Sequence, residues 1–279
     1  MAHQIAATFS NSATQLQALL KPRFSLWEAH CPQVFCEYLD ALHLEGSGAI
    51  DFDHINSVIS SQSGFTLSPT QGYLSPHNYL FELSQKRFPI ATNVRSLEED
   101  GFSTLPDLIH DLFCHIPWLL HPEFVNFFST MGELFVKSIK RAKEIYPIED
   151  QPRILNSNAL AISRCFWFTV ESGLIEEQGK RKAYGAAVLS STEQLSHTFN
   201  NNVFVSPFKT EHIIQRPCNP NAIQTTLFII RDFSELNDIS KKMHLFLEKG
   251  RLDFVVFGPH DVYYPDVIHF LREHEFSQK

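Results

Sequence analysis

Apolar residues recur at helical spacing from Leu16 to about Leu44, as in Phe35, Leu39 and Leu42, until Gly46-Ser47-Gly48 breaks the pattern. Residues 1–15, small and polar, read as a loose arm. Asp51 or Asp53 is placed to cap a helix through Ile55, Val58 and Ile59 that closes near Gly64. Phe65 to Leu74 reads as a proline- and glycine-bearing loop, and Ser75-Pro76-His77 as the start of another helix. An extended piece, Phe88 to Arg95, leads to Pro106-Asp107-Leu108-Ile109-His110-Asp111-Leu112-Phe113-Cys114-His115-Ile116-Pro117. Asp107 to Phe113 reads as a short helix that Pro117 forbids from continuing.

Pro122 opens a long amphipathic helix to about Glu144, with Phe124, Phe127, Phe128, Met131, Phe135 and Ile139 along one stripe. A linker at 147–153 precedes a second apolar helix, expected from Asn158 to Ile175, whose lone acidic residue is Glu171. Gly179 to Ser191 reads as a turn or small hairpin followed by a helix start. Thr225 to Arg231 is the strongest strand pattern, and Phe233 to Lys249 is helical. Phe254-Val255-Val256-Phe257 reads as β-like, and Val267 to Glu275 as a terminal helix. The pattern predicts a mainly α domain with a small β element.

Composition narrows the function. The chain has 279 residues, 43% of them hydrophobic, enough to bury one sizeable core. A net charge of −8 without a long basic block argues against nucleic acid or an anionic membrane as the main partner. No apolar run reaches the length of a spanning helix, and no basic-then-apolar leader opens the chain, so a cytoplasmic protein is expected. Five scattered cysteines fit a reducing compartment.

The chemistry gathers around two histidines. His110 and His115 are separated by about 140° on an ideal α-helix, so one metal ion is out of reach of both if the helix runs on. If it ends near Cys114, the His115 ring can swing back towards His110. On spacing alone, structural histidines remain the alternative. Glu171, a carboxylate amid apolar surface, requires a partner or a cation. With the two histidines it would complete a facial triad, the open-sided ligand set of non-haem Fe(II) oxygenases. A zincin is disfavoured, because its histidines lie four apart with a glutamate beside the first.

The chain resembles the pterin-dependent aromatic amino acid hydroxylases, and most closely the short bacterial phenylalanine-4-hydroxylases, over about residues 20–245. Pro106 to His115 is similar to the family's PDxxHxxxGH, Trp167 to Glu171 to its WxTVE, and Lys182 to Ser191 to its KAYGAGLLSS. The resemblance implies a single catalytic domain over 16–279 and an Fe(II), tetrahydropterin- and O2-dependent monooxygenase acting on the ring of a free aromatic amino acid. Phenylalanine is the first choice, with tyrosine or tryptophan open. It implies His110, His115 and Glu171 as iron ligands, and Arg95 as the clamp on the substrate carboxylate, with Ser103 assisting. Pro106 and Trp167 would line the ring pocket. Tyr73, Leu74, Tyr79, Leu80 and Asp111 would meet the pterin, Tyr79 by stacking. Ser190 would orient the first histidine.

Several positions depart from the family pattern. Cys114 stands for a glycine before His115, which predicts a helix end without the residue that best adopts a left-handed turn, and an oxidation-sensitive thiol. Phe166 stands for a tyrosine and Ser172 for a phenylalanine. A monomer or loose dimer is expected. The alternative reading is a catalytically idle binder of amino acid or pterin using the same pocket.

Overall fold

The computed structural model describes residues 13–45, 50–71, 74–103, 105–200, 203–265, 267, 271 and 272. Its first helix, α1 (Ala13–His30), begins inside the stretch expected to be a loose arm. Pro32 then separates it from α2 (Gln33–Ala41), so the long helical pattern is two helices. The Gly46-Ser47-Gly48 break lies outside the described residues. Helix α3 (Phe52–Ser63) follows the sequence closely. The Asp51 side chain accepts from the His54 N–H, and Gly64 ends the helix at φ 73°.

The expected loop at 65–74 is instead partly strand. β1 (Thr66–Thr70) runs parallel to β2 (Arg87–Ala91), joined by α4 (Pro76–Ser84), whose N-cap is Ser75. Both strands carry a proline, which a two-stranded ribbon tolerates because each has a free edge. Helix α5 (Pro122–Ile145) buries the expected phenylalanine stripe. Gly132 lets α4 approach, since a Cβ there would stand 2.3 Å from the Ser84 nitrogen.

Helix α6 (Gln151–Phe166) starts seven residues before the expected Asn158, because Pro152 occupies its first turn, where no N–H is needed. It also ends earlier than Ile175. The next strand, β3 (Leu174–Glu177), turns at Gln178 and Gly179 into β4 (Lys180–Ala183). Two short helices, α7 (Ala186–Leu189) and α8 (Thr192–Phe199), lead to β5 (Phe204–Pro207), α9 (Thr210–Ile213), β6 (Thr226–Ile230) and α10 (Glu235–Glu248). The second sheet has the order β4-β3-β6-β5, with only the β3–β4 pair antiparallel. The mainly α reading with a small β element holds.

Residues 254–257 form no strand. The Val255 N–H donates to the Ser157 hydroxyl and the Val256 carbonyl accepts from Arg164, so side chains take the place of a neighbouring strand. Of the expected terminal helix only Val267, Leu271 and Arg272 lie among the described residues. Helices α1 to α6 and the flanking short helices share one apolar core, into which the double-histidine segment is packed.

Candidate metal centre

The segment that carries both histidines does not end at Cys114. Ile109–His115 is a π-helical turn, closed by the Ile116 N–H reaching back five residues to the Asp111 carbonyl, and Ile116–Leu120 then tightens into a 3-10 helix. In a regular helix the Pro117 ring would press on the Phe113 carbonyl. The wider turn before the proline relieves that clash. It also places residues five apart one turn from each other, so His110 and His115 share a face, with ring centroids 4.9 Å apart. The left-handed residue expected at Cys114 is therefore not needed. Among the described non-glycine residues only His43, Lys86 and Gln178 have positive φ. Cys114 is fully buried, and burial pushes its thiol far above the ordinary range, a setting that disfavours the thiolate.

Glu171 arrives from a second π-helical stretch, Trp167–Glu171, in which the Ser172 N–H bonds the Trp167 carbonyl. Gly173 and Gly185 make room for it. A Cβ on Gly185 would meet the Glu171 carbonyl at 2.5 Å, and one on Gly173 would meet the Tyr184 ring at 2.3 Å. The Glu171 carboxylate spans the imidazole pair, Oε1 at 3.0 Å from His115 Nε2 and Oε2 at 3.3 Å from His110 Nε2. Burial works to raise this carboxyl, but the His115 and His110 imidazoles prevail and hold it well below the usual carboxylate range. The Ser190 hydroxyl lies 3.2 Å from His110 Nδ1, which leaves Nε2 turned to the carboxylate.

A second carboxylate, Asp111, is also close. One ligand atom each from His110, Asp111 and His115 fall within 4.8 Å of one another. The two acids differ in what they have left to offer. Asp111 Oδ2 already accepts the Ala91 N–H at 2.6 Å, and burial raises its carboxyl to about 6. Glu171 is largely buried and ionised, and its two oxygens face the two imidazoles rather than a backbone N–H. Two imidazoles and an ionised carboxylate that no backbone N–H holds fit a divalent ion such as Fe(II) better than a set built on Asp111. Phe88 and Phe128 wall the His115 side, and Tyr79 packs edge-on to Phe88 and Phe166.

Arg95 is buried, not a surface charge. Its Nη2 and Nε donate to Asp107 at 2.7 and 2.9 Å, and its Nη1 donates to the Ser190 carbonyl at 2.9 Å. Asp107 had no assigned role in the sequence reading, although a buried arginine demands an anion and Asp107 is an acid of the same motif. The other expected residues are scattered. Ser103 bonds the Leu105 carbonyl, and Pro106 is exposed. Trp167 is half-buried with an unpaired indole N–H, and packs on the small cluster of Phe168, Ile213 and Phe228. Leu74 is half-buried, Leu80 is in the core, and Tyr73 lies outside the described residues. Burial, with help from Glu171 and Asp111, raises the Tyr79 hydroxyl. Two surface clefts of about 400 and 430 Å³ flank α5 near Pro122 and Asn126 and include none of these residues.

A model of the biopterin-dependent aromatic amino acid hydroxylases matches residues 16–272. The chain belongs to this family. A Chlamydia pneumoniae protein described as a probable aromatic amino acid hydroxylase is 45% identical over 237 residues, covering 85% of this chain and 65% of the relative. The chain thus spans just under two thirds of that hydroxylase. Vibrio cholerae phenylalanine-4-hydroxylase is 26% identical over 211 residues, 75% of this chain and 68% of its own. Among solved structures, Chromobacterium violaceum phenylalanine hydroxylase with bound iron(III) and 7,8-dihydrobiopterin superposes with a TM-score of 0.72 at 24% identity, covering 90% of this chain and 85% of that one. The Legionella pneumophila phenylalanine hydroxylase gives 0.71 at 24% identity, covering 84% and 95%. These likenesses establish the hydroxylase fold. No described helix is long and apolar enough to cross a membrane.

Proposed function

We propose that the chain is a non-haem Fe(II), tetrahydropterin-dependent monooxygenase that hydroxylates the ring of a free aromatic amino acid, phenylalanine first. The observation that carries this reading is the Glu171 carboxylate set between two imidazole Nε2 atoms, with a buried arginine sharing Ser190 with the first of them. Fe(II) held by His110, His115 and Glu171, with tetrahydropterin as electron donor, supplies oxygen activation. The chain's own work is placement and exclusion of water. Asp111 and Tyr79 stand beside the centre as the groups facing the pterin, and Trp167 as a wall of the ring pocket.

Arg95 is the anchor for the substrate carboxylate. A guanidinium has five N–H donors, and Asp107 and Ser190 take three of Arg95's, which leaves two for a ligand. Asp107 keeps the plane of the fork fixed while those donors act. The decisive experiment is aerobic turnover of phenylalanine, tyrosine and tryptophan with Fe(II) and tetrahydropterin, analysed by mass. One added oxygen on one of the three is expected. Iron and pterin binding without oxygen transfer to any of them would leave a binding protein and overturn the reading.

A further inference from the structure

Helix α1 supplies none of the expected site residues, yet one of its faces is aimed at them. Gln15, Leu19, Arg23 and Trp27 follow at intervals of four and so lie along one stripe. Gln15 Nε2 donates to the Arg95 carbonyl at 2.6 Å. Trp27 Nε1 donates to the Leu189 carbonyl at 3.0 Å. Between them Arg23, with no exposed surface, donates from Nε and Nη2 to the Ser190 carbonyl at 3.1 and 2.8 Å. That carbonyl is the same one that accepts from Arg95 Nη1. Arg23 also pairs with the Asp100 side chain and donates to its carbonyl, five residues beyond Arg95.

We propose that Arg23 is a positioning residue which, by holding the Ser190 carbonyl and Asp100 together, presets Arg95 for the carboxylate of the amino acid. This rests on the reading of Arg95 as substrate anchor. Burying a second guanidinium beside the first is costly, and a core of this size needs no cation at that place. What the charge achieves is geometric. A planar fork fixes two acceptors at once, where an apolar side chain would leave the Ser190 carbonyl served by Arg95 alone and Asp100 unpaired. Freed of Arg23, the 96–103 segment and the Ser190 carbonyl would relax independently, and the remaining Arg95 N–H groups would lose their common direction.

The test is binding of L-phenylalanine to the anaerobic protein loaded with Fe(II) and tetrahydropterin, by calorimetry, for Arg23→Met, Arg95→Lys and the double variant. Arg23→Met is expected to weaken phenylalanine binding at least fivefold, with iron content and pterin affinity within twofold of wild type. In the Arg95→Lys background the same change is expected to add less than twofold, because Arg23 acts through Arg95. A merely structural arginine would lower Tm and leave this coupling absent. If Arg23→Met does not fold, Asp100→Ala removes its partly exposed side-chain partner, and Asp100→Asn its charge alone, and both are expected to weaken phenylalanine binding in the same direction. An unchanged Kd in folded Arg23→Met or, failing that, in Asp100→Ala, beside a weakened Arg95→Lys, overturns the proposal alone. Full additivity in the double variant also overturns it. An unchanged Kd in Arg95→Lys overturns the anchor reading and this proposal with it.

Discussion

Arg95 and Asp107 form a paired fork, 2.7 and 2.9 Å, with side chains almost wholly buried. Asp107 also accepts the backbone N–H groups of Arg95 and His110 at 3.0 and 3.1 Å. One carboxylate thus ties the proposed substrate anchor to the turn that carries a proposed iron ligand, and a disturbance at either is felt at the other.

Replacing Arg95 by lysine keeps the charge and loses the fork. A charge-assisted contact contributes about 1.5–3 kcal/mol, so kcat/KM for the amino acid is expected to fall roughly 10- to 150-fold, mainly through KM. Iron content should be retained. Steady-state kinetics with a change under twofold would return Arg95 to a structural role.

Asp107→Asn should cost stability as well as binding. Breaking a buried pair by removing one partner costs about 3–5 kcal/mol. Burial raises the Asp107 carboxyl and Arg95 lowers it more, so it titrates below its unfolded value. The stabilisation is complete above an unfolded pKa of about 3.9 and is lost as pH falls through the folded one. The variant should show a lower Tm at neutral pH and a shallower decline of Tm between about pH 5 and pH 2. Parallel Tm profiles would count against the pair.

Glu171→Ala is expected to lower iron content and abolish hydroxylation, with the circular dichroism spectrum unchanged. The two imidazoles remain, but the ionised carboxylate set between them is gone. Wild-type iron occupancy in this variant would move the carboxylate role to Asp111.

Gly185→Ala tests how Glu171 is placed. The added methyl group would overlap the Glu171 backbone at 2.5 Å, and overpacking of this kind costs about 1–3 kcal/mol. Iron affinity should fall with Tm, although residue 185 bears no ligand atom. Unaltered iron affinity would show that the backbone there yields without moving the carboxylate.

The sequence alone determined much of this protein. The mainly helical class, the capped helix after Asp51, the phenylalanine stripe of α5 and the turn at Gly179 all follow from local spacing, capping and turn chemistry, which act over a few residues. The motifs around His110, His115 and Glu171 were legible as a resemblance. Their convergence was not, because an ideal helix puts the two histidines on different faces. Only the packed structure widened both segments into π turns, where Pro117 and the close contacts of Gly173 and Gly185 outweigh regular helix geometry. The β1–β2 ribbon was missed because its pairing spans long range and its sequence contains prolines. Asp107, Gln15 and Arg23 were missed for a related reason. A buried polar group takes its meaning from the partner that satisfies it, and Ser190, the shared acceptor of Arg23 and Arg95, lies 167 and 95 residues away along the chain.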